Sequence, residues 1–132
     1  MKNVLIISSS PRRHGNSDLL CDMFAKGAEE SGNNVEKIFL KDKEINYCTG
    51  CGVCNTTHRC IIKDDMAEIL DEMVNADVIV LATPVYFYSM AAQDCLDGAR
   101  EAGIIYGTGA WQIGEIKNTD AYEQAYQMGK GV

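Results

Sequence analysis

The sequence predicts an α/β protein built on a doubly wound parallel sheet, and three observations carry that prediction. Two uninterrupted aliphatic runs, "VLIIS" (Val4 to Ser8) and "VIVLA" (Val78 to Ala82), have the composition of strands buried on both faces of a parallel sheet. Each run is followed shortly by one of the two prolines, Pro11 and Pro84, so two loops leave equivalent strand ends. Stretches of helical periodicity lie between the strands, as parallel neighbours require.

Both aliphatic runs are expected as central strands. After the first, Leu20, Met23, Phe24 and Gly27 recur at helical spacing, with Asn16 or Ser17 as the cap and Gly32 as the stop. "VEKIFL" (Val35 to Leu40) supplies the second strand. Asp64 or Asp65 opens a helix with Met66, Ile69, Leu70 and Met73 on one face, and this helix feeds the strand at Val78. Ser89 is placed to cap a further helix with Ala92, Cys95, Leu96 and Ala99 inward, followed by a short fourth strand at Ile104 to Tyr106. The final helix starts at Asn118 or Thr119, turns Ala121, Ala125 and Met128 to one face, and ends at Gly129. Right-handed crossovers then give the strand order 2-1-3-4. Ligands of such sheets sit beyond the carboxyl ends of the strands, where chain order reverses between the first and third.

At 132 residues the chain is long enough for one core, and residues 1–132 are expected to form one domain. A formal net charge of -7 repels phosphate backbones and anionic membrane surfaces, which argues against nucleic-acid and membrane partners. No apolar run is long enough to span a bilayer, and "MKNVLIISSS" lacks a secretory cleavage pattern, so a cytoplasmic location is expected. Six cysteines in a reducing compartment read as metal-binding or redox thiols.

The first loop, "SSSPRRHGNS" (Ser8 to Ser17), ends in a helix N-terminus. Its hydroxyls, main-chain N–H groups and helix dipole suit a phosphate, with Arg12 or Arg13 available for charge-assisted bonds. Neither GxxxxGK[ST] nor GxGxxG follows this strand, so a monophosphate fits better than a nucleoside triphosphate or a dinucleotide. The later "GTGAW" is not followed at once by a helix and reads as a turn. The second loop, "TPVYFYSM" (Thr83 to Met90), carries Tyr86, Phe87 and Tyr88, three successive aromatics that cannot all enter a core. At least one is available to line a flat ligand. Together the loops describe a planar ring carrying one phosphate, that is, flavin mononucleotide (FMN). The bland alternatives are a polar connection that binds nothing and aromatic packing against a neighbouring subunit.

"SSPRRHGNS", "CTGCGVCNTTHRCIIKDDM", "TPVYFYSM" and "GAWQIGEIKNT" together resemble the flavodoxin-like NADPH-dependent FMN reductase family, especially its iron-sulfur flavoprotein branch. The resemblance implies a flavodoxin-like fold. It further implies that Ser10, Arg12, Asn16 and Ser17, with Ser8 in the same loop, hold the FMN phosphate. Pro84, Val85, Tyr86, Phe87 and Ser89 would contact the ribityl chain and isoalloxazine. The chain departs from the family in length. Thirteen residues separate Ser89 from Gly103, enough for one helix, so one strand-helix unit and the third ligand loop it supplies are missing. The last strand is then expected either to dock on the third strand or to pair across a subunit interface, giving a homodimer or higher homo-oligomer.

Residues 46–62 form a cysteine-rich insertion. Cys48, Cys51, Cys54 and Cys60 are spaced C-x2-C-x2-C-x5-C, and the first three spacings match the loop that wraps a [4Fe-4S] cluster in ferredoxins. The segment resembles that of iron-sulfur flavoproteins, which implies that Gly50 and Gly52 let the backbone fold around the cluster. Zinc, which more often takes two separated pairs, a disulfide and a loop of empty reduced thiols remain as alternatives. Cys21 and Cys95 fall on inward helix faces and read as core. His14 and His58 read as solvated loop histidines, Trp111 as an anchor for the C-terminal segment, and Asp64–Asp65 as a helix start. The expected function is an FMN-dependent oxidoreductase or electron-transfer flavoprotein. It would take a hydride from NAD(P)H or electrons from a small redox molecule or carrier protein, with no side chain as nucleophile or base. The contrasting expectation is a non-catalytic shortened module whose cysteine loop binds zinc or a partner.

Overall fold

Val4, Leu5, Ile6 and Ile7 are 2, 2, 0 and 7% exposed, and they form the middle of the sheet. A computed structural model describes residues 1–86, 89–90 and 102–132, with the backbone alone at 85–86 and 89–90. Strand β1 (Asn3–Ser8) pairs in parallel with β2 (Asn34–Phe39) on one side and with β3 (Val78–Ala82) on the other. The register sets Ile6 between Lys37 and Val80, and Ser8 between Phe39 and Ala82. Alternate β1 side chains enter two separate apolar clusters.

Val4 and Ile6 meet Cys21, Phe24 and Ala28 of α1 (Asn16–Glu30) together with Ala125 of the C-terminal helix. Leu5 and Ile7 meet Ile38 and Ile69 on the opposite face. The other α-helices among the described residues are α2 (Cys54–Thr57), α3 (Met66–Asn75), which contributes Ile69, and α4 (Asp120–Lys130), which lies beside α1. Helices thus cover both faces, as a doubly wound sheet demands. A two-stranded antiparallel ribbon, β4 (Val85–Tyr86) with β5 (Ser89–Met90), follows β3. None of the described helices is long and apolar enough to cross a membrane.

Several expectations are corrected. No fourth strand forms at Ile104 to Tyr106 among the described residues. The alternation there is real, since Ile105 packs on the α1 cluster while Ile104 and Tyr106 are 48% and 61% exposed. Three residues bracketed by Gly103 and Gly107 are held by side chains instead of a ladder. A Cβ at Gly103 would lie 2.8 Å from Met128 Cε, and one at Gly107 2.6 Å from Ile116 Cδ1. Strand β3 is accordingly an edge among the described residues, with Leu81 40% exposed, and not a central strand. Helix α1 takes Gly15 as its N-cap in place of Asn16 or Ser17. Helix α4 runs through Gly129 to Lys130 because that glycine serves the contact with α1: a Cβ there would lie 2.9 Å from the Phe24 carbonyl carbon. Leu70 of α3 is 42% exposed, and Ile69 alone of that helix is buried. Ser89 lies in β5, and the helix expected after it falls outside the described residues, as do Phe87, Tyr88 and Cys95.

Candidate cofactor-binding rim and cysteine loop

Parallel pairing sends the chain out of β1 and β3 at the same rim, and a direct tie joins the two exits. Ser9 donates both its N–H (2.9 Å) and its Oγ (3.1 Å) to the Ala82 carbonyl. The loop that follows Ser8 and the loop that carries Pro84 therefore start side by side. Thr83 Oγ1 donates to the Pro84 carbonyl at 3.1 Å, stiffening the second exit before β4 begins.

The first loop is tightly wound. Ser10 is 4% exposed, and its Oγ accepts from Arg12 N–H (3.3 Å) and donates to the Arg12 carbonyl (3.2 Å). Gly15 N–H donates back to the same carbonyl at 3.3 Å. A Cβ at Gly15 would lie 3.1 Å from that carbonyl oxygen, so a glycine suits the turn. His14 adopts a left-handed backbone, φ 57°, and donates its N–H to Asp18 Oδ2 at 2.8 Å.

Asp18 sits in the first turn of α1, 5% exposed, and pairs with Lys37 of β2, which also bonds Asp22 at 2.7 Å. Burial raises the Asp18 carboxyl, but the Lys37 ammonium and the His14 N–H outweigh it and hold it below the ordinary carboxylate range. Burial likewise lowers Lys37, and its two aspartates more than reverse this. His14, Asp18 and Asp22 bring ligand-type atoms within 4.8 Å of one another. With Lys37 bonded to both carboxylates, the group is an ion-pair network. Cys21 lies below, 2% exposed, and burial pushes its thiol up to about 12, so it stays protonated as a core residue.

The residues expected to hold a phosphate are thus placed in different ways. Ser8 is the fully buried floor of the loop, and among the described residues its Oγ has no hydrogen-bond partner. The Ser10 hydroxyl serves the turn. Asn16 faces elsewhere: its Nδ2 donates to the carbonyls of Ala110 (3.3 Å) and Gln112 (3.0 Å), and its Oδ1 accepts from Gly114 N–H (3.1 Å) and Ile116 N–H (3.3 Å). All four valences of the amide are filled, which leaves only its main-chain N–H for a ligand. Among the described residues no side chain caps α1, so the first-turn N–H groups are donors available at the positive end of the helix dipole. Arg13 pairs with Asp42 and lies 4.7 Å over the Phe39 ring. Arg12 is exposed, and neither it nor Ser17 has a side-chain partner among the described residues. An anion at this N-terminus would therefore meet main-chain donors, the Ser17 hydroxyl and Arg12. Pro84, Val85, Tyr86 and Ser89 lie on the adjoining exit, where Val85 pairs with Met90 and Tyr86 with Ser89.

Sequence reasoning missed Ser9, Gly15 and the Asp18–Lys37 pair. It also missed that Asn16 reaches 94 to 100 positions along the chain. A pair so distant leaves no local periodicity to read.

The cysteine insertion is a loop tied at its neck. Asp64 Oδ2 accepts from Asn46 N–H (2.7 Å), Asp65 Oδ2 from Glu44 N–H (2.6 Å), and Asp65 N–H donates to the Glu44 carbonyl (3.1 Å). Asp64 also accepts from Met66 N–H at 3.0 Å, so it braces the first residue of α3 while closing the loop, and Asp65 is the N-cap position of that helix. Within the loop Gly50 and Gly52 take φ 67° and 74°, values that favour glycine. Cys48, Cys51, Cys54 and Cys60 are exposed free thiols. Gly50 N–H donates to Cys48 Sγ and Ile62 N–H to Cys60 Sγ, each at 3.4 Å. Four thiols with amide donors on two sulfurs fit an iron-sulfur cluster in chemistry. Their sulfurs are spread along the loop, and among the described residues they do not converge as the His14 group does.

A family model described as NADPH-dependent FMN reductase matches residues 2–94. The chain is similar to a curated iron-sulfur flavoprotein of Archaeoglobus fulgidus, 43% identical over 93 residues, covering 70% of this chain and 42% of that protein. An iron-sulfur flavoprotein of Methanocaldococcus jannaschii is 46% identical over 90 residues, covering 68% of this chain and 47% of the relative. The chain spans less than half the length of these two relatives. Among solved structures, a flavone reductase matches 67% of this chain and 26% of its own, with TM-score 0.53 and 32% identity. An NAD(P)H:quinone oxidoreductase from Methanothermobacter marburgensis shares the fold, with TM-score 0.57 at 17% identity over 68% of this chain and 48% of its own.

Proposed function

The chain belongs to the NADPH-dependent FMN reductase family, and on that premise we propose that it binds FMN at the shared rim and works as an FMN-dependent oxidoreductase or electron-transfer flavoprotein. The observation that carries this reading is the Ser9–Ala82 tie, which starts the loop leading to the α1 N-terminus next to the strand end that leads to Pro84. When bound, FMN supplies one- and two-electron chemistry that no side chain offers. The protein's task is to hold and orient it.

The main-chain donors of Asn16 and Ser17, the Ser17 hydroxyl and the Arg12 guanidinium would hold the phosphate. Ser10 and Gly15 would keep those donors aimed through the turn they close. Pro84, Val85, Tyr86, Phe87 and Ser89 would carry the ribityl chain and ring. Electrons would come from NAD(P)H or a small redox carrier. Cys48, Cys51, Cys54 and Cys60 would hold a [4Fe-4S] cluster, which supplies single-electron transfer; the neck bonds of Asp64 and Asp65 would keep that loop at a fixed root.

Anaerobic purification with flavin, iron, sulfide and zinc analysis tests the reading. The expected sample is yellow, takes up FMN and carries iron with acid-labile sulfide. A colourless sample that takes up no FMN overturns the flavin assignment, and zinc without iron or flavin would establish a non-catalytic module.

A further inference from the structure

One polar side chain organises most of the C-terminal loop. Asn16 holds the carbonyls of Ala110 and Gln112 and the N–H groups of Gly114 and Ile116. From the other side Glu115 accepts from Trp111 N–H (2.8 Å) and Gln112 N–H (2.9 Å). Ile116, 1% exposed, plugs the loop into the core, so the anchoring role expected of Trp111 falls to that isoleucine. Trp111 is 84% exposed, at the residue between the two carbonyls that Asn16 grips. Six main-chain polar groups of 110–116 are thus held by two side chains, which fixes the loop while Trp111 stays exposed. Asn16 is also the first residue of α1, so this loop borders the helix end where the phosphate is proposed to sit.

We propose that Asn16 is a positioning residue that fastens 110–116 against the phosphate loop, making that segment the third wall of the FMN site with Trp111 as its ligand-covering side chain. The inference rests on the FMN reading given above. It assigns this loop the place left by the missing strand-helix unit. The amide must be an amide: two donors and two acceptor sites face two carbonyls and two N–H groups, and neither aspartate nor serine can satisfy all four. An indole laid over the bound molecule would recover the apolar surface that the free protein leaves in water.

Trp111 is the sole tryptophan of the chain, so its emission reports this loop alone. The full chain, stripped of flavin, is titrated with FMN while flavin fluorescence gives the affinity and acrylamide quenching of Trp111 gives its accessibility. FMN should reduce acrylamide quenching severalfold. Trp111→Ala should weaken FMN about tenfold, and Trp111→Phe should restore most of that loss, as expected for an aromatic covering contact. Asn16→Ala should weaken FMN comparably and leave Trp111 open to acrylamide even at saturating FMN. If FMN binds but Trp111 stays equally accessible and Trp111→Ala binds as tightly as the parent, the third-wall assignment is overturned while the flavin reading stands. If the parent chain takes up no FMN by either signal, the flavin reading falls and the third wall falls with it. Trp111 is solvent-exposed, so its variants test the idea even where Asn16→Ala does not fold.

Discussion

Gly27 of α1 faces the backbone of α4 at Tyr126 so closely that a Cβ at Gly27 would collide with the Tyr126 carbonyl and lie 2.9 Å from Lys130 N. Gly129 repays the approach from the other helix, where an added Cβ would lie 3.0 Å from Ala28 N. Ala28 and Ala125, 0% and 2% exposed, complete a strip of small residues that lets the two backbones touch over the α1 cluster.

Gly27→Ala is therefore expected to destabilise the fold although alanine favours helices. The intrinsic gain is about 1 kcal/mol, against overpacking of about 1–3 kcal/mol or more where backbone cannot retreat. Gly131→Ala, whose Cβ would find its nearest neighbour at 3.5 Å, serves as the matched control. Thermal unfolding should show a lower midpoint for Gly27→Ala and little change for Gly131→Ala. Equal midpoints would mean that the two helices are not in backbone contact.

The Asp18–Lys37 pair predicts a pH dependence. Asp18 is held below its ordinary value of 3.8, so its contribution is present above the unfolded carboxylate's pKa and is lost as pH falls through the lower folded one. Lys37 is held above its ordinary 10.5, so its contribution is present below that value and is lost as pH rises through the raised one. The pair is fully effective across neutral pH and fades first on the acid side. Asp18→Asn should cost about 1–3 kcal/mol at pH 7 and less near pH 3, a difference read by urea denaturation at the two pH values. A constant cost would contradict the ion-pair account.

Local pattern made most of the scaffold legible. The aliphatic run at Val4–Ile7 announced a strand buried on both faces, and β1 is that strand. The 2-1-3 order followed from crossovers, and the two proline-marked loops do converge. What failed was what depends on absent neighbours or distant partners. Val78–Ala82 reads like β1 in composition, yet without a described fourth strand it is an edge. Asn16 looked like a helix cap because its type favours caps, while its real partners lie in a loop near the far end of the sequence. Trp111 reads as an anchor from its place after the expected last strand, and only the fold shows that Ile116 occupies that role.

The neck of the cysteine loop predicts a separable local effect. Asp64 accepts from Asn46 and Met66, and the Asn46 N–H in particular holds its carboxyl below the usual range. Asp64→Ala should leave the sheet intact by circular dichroism while opening 46–64. Limited proteolysis would then cut that loop sooner than in the parent, with Arg59 and Lys63 as tryptic sites. Unchanged cleavage there would show that the neck bonds do not hold the loop.

The two adjacent arginines of the first loop should separate cleanly. Arg13 is committed to Asp42 and Phe39, so it links the loop to the end of β2. Arg12 is exposed beside the open first-turn donors of α1. A phosphate at that helix end would draw Arg12 into a charge-assisted bond, whose loss is worth about tenfold or somewhat more in affinity. Arg12→Ala should therefore weaken FMN by about that factor while leaving riboflavin, which lacks the phosphate, unaffected. Arg13→Ala should change FMN and riboflavin affinity little and equally. Flavin-fluorescence titrations with both ligands make the comparison, and an Arg12→Ala variant that loses riboflavin as strongly as FMN would place the phosphate away from α1.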